Sequence, residues 1–143
     1  MQAHLRLSDR PIASDLVPRG SADMILGMDP LESLRFLAYL APGGVLVTAT
    51  EPFANIPDYP EMGGLLAAVR GLPRHRLVDA AALAREAGSA RAANMVLVGA
   101  ASAYLPLESA HLEQAIAEMF AGKGQAVVEA NLKAFAAGQG GRP

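Results

Sequence analysis

The chain has 143 residues, 52% of them apolar and 18% charged, with a formal net charge of −2. That length forms one domain able to bury a core, and the balance is that of a globular protein rather than a disordered one. The slight negative charge gives no electrostatic footing for nucleic acid or an anionic membrane, and zero cysteines exclude a disulfide, a thiolate nucleophile and a cysteine-held iron–sulfur cluster.

Residues 2–7 alternate, with Ala3, Leu5 and Leu7 on one side and His4 and Arg6 on the other. This predicts a half-buried strand, followed by a turn at Ser8-Asp9-Arg10-Pro11, with 12–17 as a candidate second arm of a hairpin. Leu16-Val17-Pro18-Arg19-Gly20-Ser21 spells a thrombin-cleavage linker, but the residues ahead of it read as structured, so it is taken as native sequence. A short apolar strand is expected over 23–28. Asp29 then caps a helix with Pro30 at its first position and Glu32 three residues after the cap. Leu31, Leu34, Leu37 and Ala41 form its apolar stripe, and Pro42-Gly43-Gly44 stops it. A second strand is expected over 45–50, where the unbroken apolar run Val45-Leu46-Val47 fits a strand covered on both faces. Strand, helix and strand in this space predict parallel pairing with a right-handed crossover.

Residues 52–74 carry Pro52, Pro57, Pro60, Pro73 and Gly63-Gly64. A short helix is expected over 61–70 in what is otherwise a long loop of the kind that often carries function. A strand over 76–78 leads to a helix over 80–87, capped by Asp79 and ended by Gly88. From Ala92 to Tyr104 there is no charge and no polar face, which predicts a central packing helix too short to cross a bilayer. Ala93, Gly99, Ala100 and Ala103 would let neighbouring backbone approach it closely. An amphipathic helix over 107–120 follows, with its stripe at Leu112, Ala115, Ile116, Met119 and Phe120. A last helix over 126–137 buries Val128, Leu132 and Phe135, ends at Gly138 and leaves 139–143 as a frayed tail. The elements together predict an α/β fold: a three-layer α/β/α arrangement with a largely parallel central sheet and a helical C-terminal half.

Ligands of open parallel sheets lie beyond the carboxyl ends of the strands, which places Asp29, Thr50 and Glu51 in one candidate crevice below the 52–74 loop. Two roles are open to Asp29: half of a paired-carboxylate acid–base site, or helix cap. Asn94, a polar side chain early in the apolar helix, is expected to hydrogen-bond to backbone or cap that helix, and Asn131 is expected to do the same on the last helix. Arg74-His75-Arg76 is a candidate phosphate contact but too short for a nucleic-acid patch. His4, His75 and His111 are too scattered to suggest a metal site. No catalytic residue is assigned, and no Gly-rich phosphate loop, nucleophile elbow or H-E-x-x-H motif is present. With no signal peptide or transmembrane run visible, a soluble cytoplasmic protein is expected.

Several segments, taken in order, resemble a known family: His4-Leu5-Arg6-Leu7, the run from Leu16 to Asp23, Asp29-Pro30-Leu31-Glu32-Ser33-Leu34-Arg35, Pro42-Gly43-Gly44, the run from Arg91 to Ala100, and Glu129-Ala130-Asn131-Leu132-Lys133-Ala134-Phe135. The pattern is similar to the gamma-type domain of 2-oxoacid:ferredoxin oxidoreductases, and its Pro30–Arg35 helix start resembles the indolepyruvate:ferredoxin oxidoreductase beta-subunit branch. The resemblance covers nearly the whole chain as a single domain. It implies an accessory role in oxidative decarboxylation of arylpyruvates to acyl-CoA. It also implies that thiamine diphosphate and iron–sulfur clusters belong to a large ferredoxin-type alpha subunit, and that this chain binds no cofactor or metal. Family domains open with a further strand and a Gly-rich loop. That portion lies outside these 143 residues, so no phosphate- or CoA-binding glycine is carried over, and an N-terminal truncation is expected. The other reading is a stand-alone α/β binding or interaction module. Either way the chain is expected to associate, as a homo- or hetero-oligomer.

Overall fold

The computed structural model describes residues 2–53 and 57–140. Three strands, β1 (Ala22–Gly27), β2 (Leu40–Ala49) and β3 (His75–Val78), form a parallel sheet in the order β1-β2-β3. Between and after them run α1 (Pro30–Arg35), α2 (Met62–Arg70), α3 (Ala80–Glu86), α4 (Ala93–Ser102), α5 (Ser109–Phe120) and α6 (Gln125–Gly140). Among the described residues no helix is long and apolar enough to cross a membrane.

The predicted three layers are present because β2 is covered on both faces. Side chains alternate along a strand, so Val45, Val47 and Ala49 point one way, into a buried cluster with Met95, Val96, Leu97 and Ala100 of α4 and Ala134 and Phe135 of α6. Leu46 and Thr48 point the other way, towards α1 and α2, where Thr48 meets Ser33. The Ser33 hydroxyl gives its proton to the Asp29 carbonyl at 2.7 Å, which leaves Thr48 as donor in the 2.9 Å bond between the two hydroxyls. Gly27 makes room for this pair, since a Cβ there would overlap the Ser33 hydroxyl.

The tightest packing lies between α4 and α6. A Cβ on Gly99 would overlap the Phe135 carbonyl, and a Cβ on Gly138 would overlap the Val96 carbonyl. The two helices therefore cross backbone against backbone, each using its own glycine. Arg76 ties the sheet to this crossing. It stands in register with Val47, which directs it to the same face. It is buried there and donates to the Ala100 carbonyl at 2.9 Å and the Gly138 carbonyl at 2.8 Å. One guanidinium thus satisfies terminal carbonyls of two helices, at the ends where a cation is favoured.

Several expectations are corrected. Residues 2–7 form no strand, and 12–17 form no hairpin arm. Leu5 and Leu7 are 76% and 50% exposed, because a strand needs a neighbour to pair with. Here His4 instead accepts the Val17 amide at 2.8 Å, and Arg6 donates to the Ser14 carbonyl. The first helix stops at Arg35 and gives way to a 3₁₀ turn over Leu37–Tyr39. Pro42-Gly43-Gly44, expected as a stop signal between helix and strand, lies inside β2, where the register jumps from Ala22↔Leu40 to Met24↔Val45. On α5 only Ile116 is fully buried, Leu112 and Phe120 are half-buried, and Ala115 and Met119 face solvent. The last helix continues to Gly140, so Gly138 is an internal packing residue; residues 141–143 of the expected frayed tail lie outside the described residues.

Candidate functional site

Because the sheet is parallel, all three strands end at one edge: Gly27 runs on to Asp29, Ala49 to Thr50 and Glu51, and Val78 to Asp79. Asp29 is the organising group there. It caps α1 as the sequence predicts, with Oδ1 accepting the Glu32 amide at 3.0 Å. The same oxygen accepts the Tyr59 hydroxyl at 3.0 Å, and Oδ2 accepts the Phe53 amide at 2.9 Å. One buried carboxylate therefore holds a helix start and both described flanks of the β2–α2 connection. Burial raises the Tyr59 pKa above its ordinary value, and the bond to Asp29, which needs the neutral phenol, raises it further.

The four sequence candidates do not converge as one set. Asp29 is engaged by three donors, so its geometry is that of a positioning group rather than an open base. Thr50 directly follows β2 and is fixed through its amide to the Val78 carbonyl at 2.9 Å. Glu51 is exposed, and among the described residues no hydrogen bond links it to Asp29. Asn94 is exposed on the first turn of α4, the helix covering the opposite face of the sheet. It does not cap that helix, whose cap position is Ala92 with no side-chain bond. Asn131 behaves as expected, donating to the Val127 carbonyl at 2.8 Å.

The Arg74-His75-Arg76 triplet is engaged within the chain rather than presented to a phosphate. Arg74 donates to the Gly43 carbonyl and lies over the Tyr104 ring, His75 meets the Leu72 carbonyl, and Arg76 is the buried clamp. The entry to α2 is held by Glu61, whose carboxylate accepts the Gly63 and Gly64 amides at 2.8 and 3.0 Å. Those two bonds hold its carboxyl below the usual range. Among the described residues no group of three or more His, Cys, Asp or Glu is placed to hold a metal ion. Tyr59 and Phe53 are absent from the sequence candidates. The available signal was an aromatic residue framed by Pro57 and Pro60, but its partner lies 30 positions away.

The sequence matches the family described as pyruvate ferredoxin/flavodoxin oxidoreductase across residues 1–140. It is 31% identical over 147 aligned residues to a protein named indolepyruvate oxidoreductase subunit IorB from Archaeoglobus fulgidus, a match covering 96% of this chain and 71% of the relative. It is 32% identical to the protein of the same name from Pyrococcus horikoshii, covering 93% and 69%. Among solved structures it is similar to 2-oxoglutarate:ferredoxin oxidoreductase from Magnetococcus marinus, with TM-score 0.58 and 22% identity over 87% of this chain and 20% of that one. At that identity the likeness supports the fold alone. The chain belongs to the pyruvate ferredoxin/flavodoxin oxidoreductase family. The match begins at residue 1, which keeps the thrombin-like hexapeptide within the family sequence even though the residues before it form no strand.

Proposed function

We propose that this chain is an accessory subunit of an arylpyruvate:ferredoxin oxidoreductase, a single gamma-type domain working beside a large subunit that carries the chemistry. The observation that carries this reading is the alignment of 96% of the chain with a protein named as an indolepyruvate oxidoreductase subunit. In such an assembly a 2-oxoacid is oxidatively decarboxylated to an acyl-CoA and the electrons pass to ferredoxin.

The residues at the strand ends do not fit the implied cofactors. No cysteine is available for an iron–sulfur cluster, and residues 48–69 include no lysine or arginine to meet a diphosphate. Asp29 already accepts from three donors. Thiamine diphosphate and the clusters are therefore assigned to the large subunit. The part left to this chain is to help form one wall of the substrate or CoA site. Thr50 and Glu51 are the candidates at the sheet edge, Asp29 positions the loop beside them, and Asn94 is a candidate contact from the opposite layer.

Co-expression with a large thiamine-diphosphate and ferredoxin-type subunit tests the reading. The two chains are expected to copurify and to reduce ferredoxin with arylpyruvate and CoA, while this chain alone is colourless and inactive. Turnover by the isolated chain with thiamine diphosphate would overturn the division of labour. Failure of the chains to associate would favour a stand-alone binding module.

A further inference from the structure

Leu16-Val17-Pro18-Arg19-Gly20-Ser21 stands just ahead of β1, outside every helix and strand. An arginine-specific serine endopeptidase reads this order of side chains. Arg19 suits a specificity pocket that ends in a carboxylate, Leu16, Val17 and Pro18 supply apolar contacts before it, and Gly20 and Ser21 are small beyond the scissile bond. The proline also biases Val17 towards the extended backbone in which peptides pair with a binding strand. In the folded chain two backbone bonds hold this site. The Val17 amide donates to His4 Nδ1 at 2.8 Å, and the Gly20 amide, the leaving nitrogen of the scissile bond, donates to the Ala38 carbonyl at 2.9 Å. The chain carries a second Pro-Arg pair, Pro73-Arg74, and the sheet locks it. The Arg74 carbonyl accepts the Leu46 amide at 3.1 Å, His75 opens β3, and the Arg74 guanidinium donates to the Gly43 carbonyl. Extending that pair into a protease would break the sheet. Extending the first releases two loop bonds, and none of residues 2–19 is buried or belongs to the core cluster.

We propose that the Arg19–Gly20 bond is a cleavage site for an arginine-specific serine endopeptidase, and that cutting there leaves the domain of three strands and six helices folded. The hydrolysis breaks the bond between the Arg19 carbonyl carbon and the Gly20 nitrogen. Water supplies a hydroxyl to the carbon and a proton to the nitrogen. The His4 and Ala38 tethers gate the reaction, because the segment must leave both to lie extended in the protease. The site does not depend on the oxidoreductase reading.

Thrombin is the probe. Added to the full chain under native conditions, it is expected to create one new N-terminus, at Gly20, read by mass spectrometry, while the far-UV circular dichroism stays unchanged. Cleavage through a transiently opened segment follows the open population. Two backbone bonds should therefore make native cleavage roughly ten- to a hundredfold slower than cleavage of a free peptide spanning residues 14–23. His4→Ala, which frees the Val17 amide, should speed native cleavage roughly threefold or more. Arg19→Gln should abolish the cut in chain and peptide alike. A folded chain left whole while the peptide is cut, a first cut after Arg74, or loss of the dichroism on cleavage would each overturn the proposal.

Discussion

The α4–α6 crossing and the C-terminal edge of the sheet are built on opposite principles. At the crossing there is no space: Gly99 and Gly138 let two backbones touch, Phe135 is fully buried, and Arg76 satisfies carbonyls of both helices. At the edge one carboxylate, Asp29, reaches three donors on three parts of the chain, while Phe53 beside it is 68% exposed. The first region is defined by volume and so fails steeply when atoms are added. The second is defined by a few hydrogen bonds, each worth about 0.5–1.5 kcal/mol net, and so can be loosened one tether at a time without unfolding the rest.

The largest expected effect is at the crossing. Gly99→Leu is expected to lower stability by about 3 kcal/mol or more, beyond the usual overpacking range of about 1–3 kcal/mol, because the obstruction is backbone rather than a movable side chain. Gly138→Ala should also be severe, as a single methyl already overlaps the Val96 carbonyl. Denaturant midpoints decide it, and an unshifted midpoint for either variant would mean that the helices part easily. Arg76→Met comes next, at about 2–6 kcal/mol, since it leaves two buried carbonyls without this donor at about 1–3 kcal/mol each. Arg76→Lys is expected to recover only part of that loss, having no fork to span two carbonyls.

The unequal legibility of the two regions has a physical cause. The strand and helix order from Asp23 onward was readable because Asp29-Pro30 and Asp79 are local caps and Val45-Leu46-Val47 is a local pattern. Gly99 was readable as a small residue in an apolar helix, but its partner Gly138 was taken for a helix end, since the crossing that needs it joins positions far apart in sequence. Arg76 looked basic and external beside Arg74 and His75, although strand alternation points it inward. Residues 2–7 show the converse: their alternation is real, but whether a strand forms depends on a neighbour that the pattern does not name. At the edge the cap role of Asp29 was local and readable, whereas its bonds to Phe53 and Tyr59 span 24 and 30 positions.

Separating the functions of Asp29 sharpens the comparison. Asp29→Ala removes cap and tethers together and should cost about 1–2 kcal/mol, the range for loss of a good cap. Asp29→Asn retains one oxygen for the Glu32 amide and the Tyr59 hydroxyl, but its amide nitrogen cannot accept from Phe53. It should cost less globally while speeding hydrogen exchange at the Phe53 amide. Equal losses in the two variants would show that the loop tether contributes nothing.

Tyr59→Phe is a smaller cut, expected at about 0.5–1.5 kcal/mol near neutral pH for one hydrogen bond. Its pH dependence carries a sign. The Tyr59 pKa is raised in the folded chain, first by burial and then by the bond to Asp29. A raised folded value means that the neutral phenol stabilises the fold fully below the unfolded value of about 10, and that this contribution is lost as pH rises through the higher folded value. Parent and Tyr59→Phe should therefore differ at pH 7 and converge in strong alkali. A difference that persists there would assign the effect to packing of the ring.

The smallest effect belongs to Glu61, a fully exposed cap whose carboxyl is held below the usual range by the Gly63 and Gly64 amides. Here the sign is opposite. A lowered folded value means that the cap stabilises the fold above the unfolded value of about 4.3, and that its contribution fades as pH falls through the lower folded value. Glu61→Gln keeps one acceptor oxygen and loses the charge that faces the helix start. Following the Glu61 side-chain carboxyl by carbon NMR should show it titrating below the ordinary glutamate value of about 4.3, and the Gly63 and Gly64 amide shifts should move with it. Titration at that ordinary value would mean that α2 begins without the cap, and that this side of the sheet edge rests on Asp29 alone.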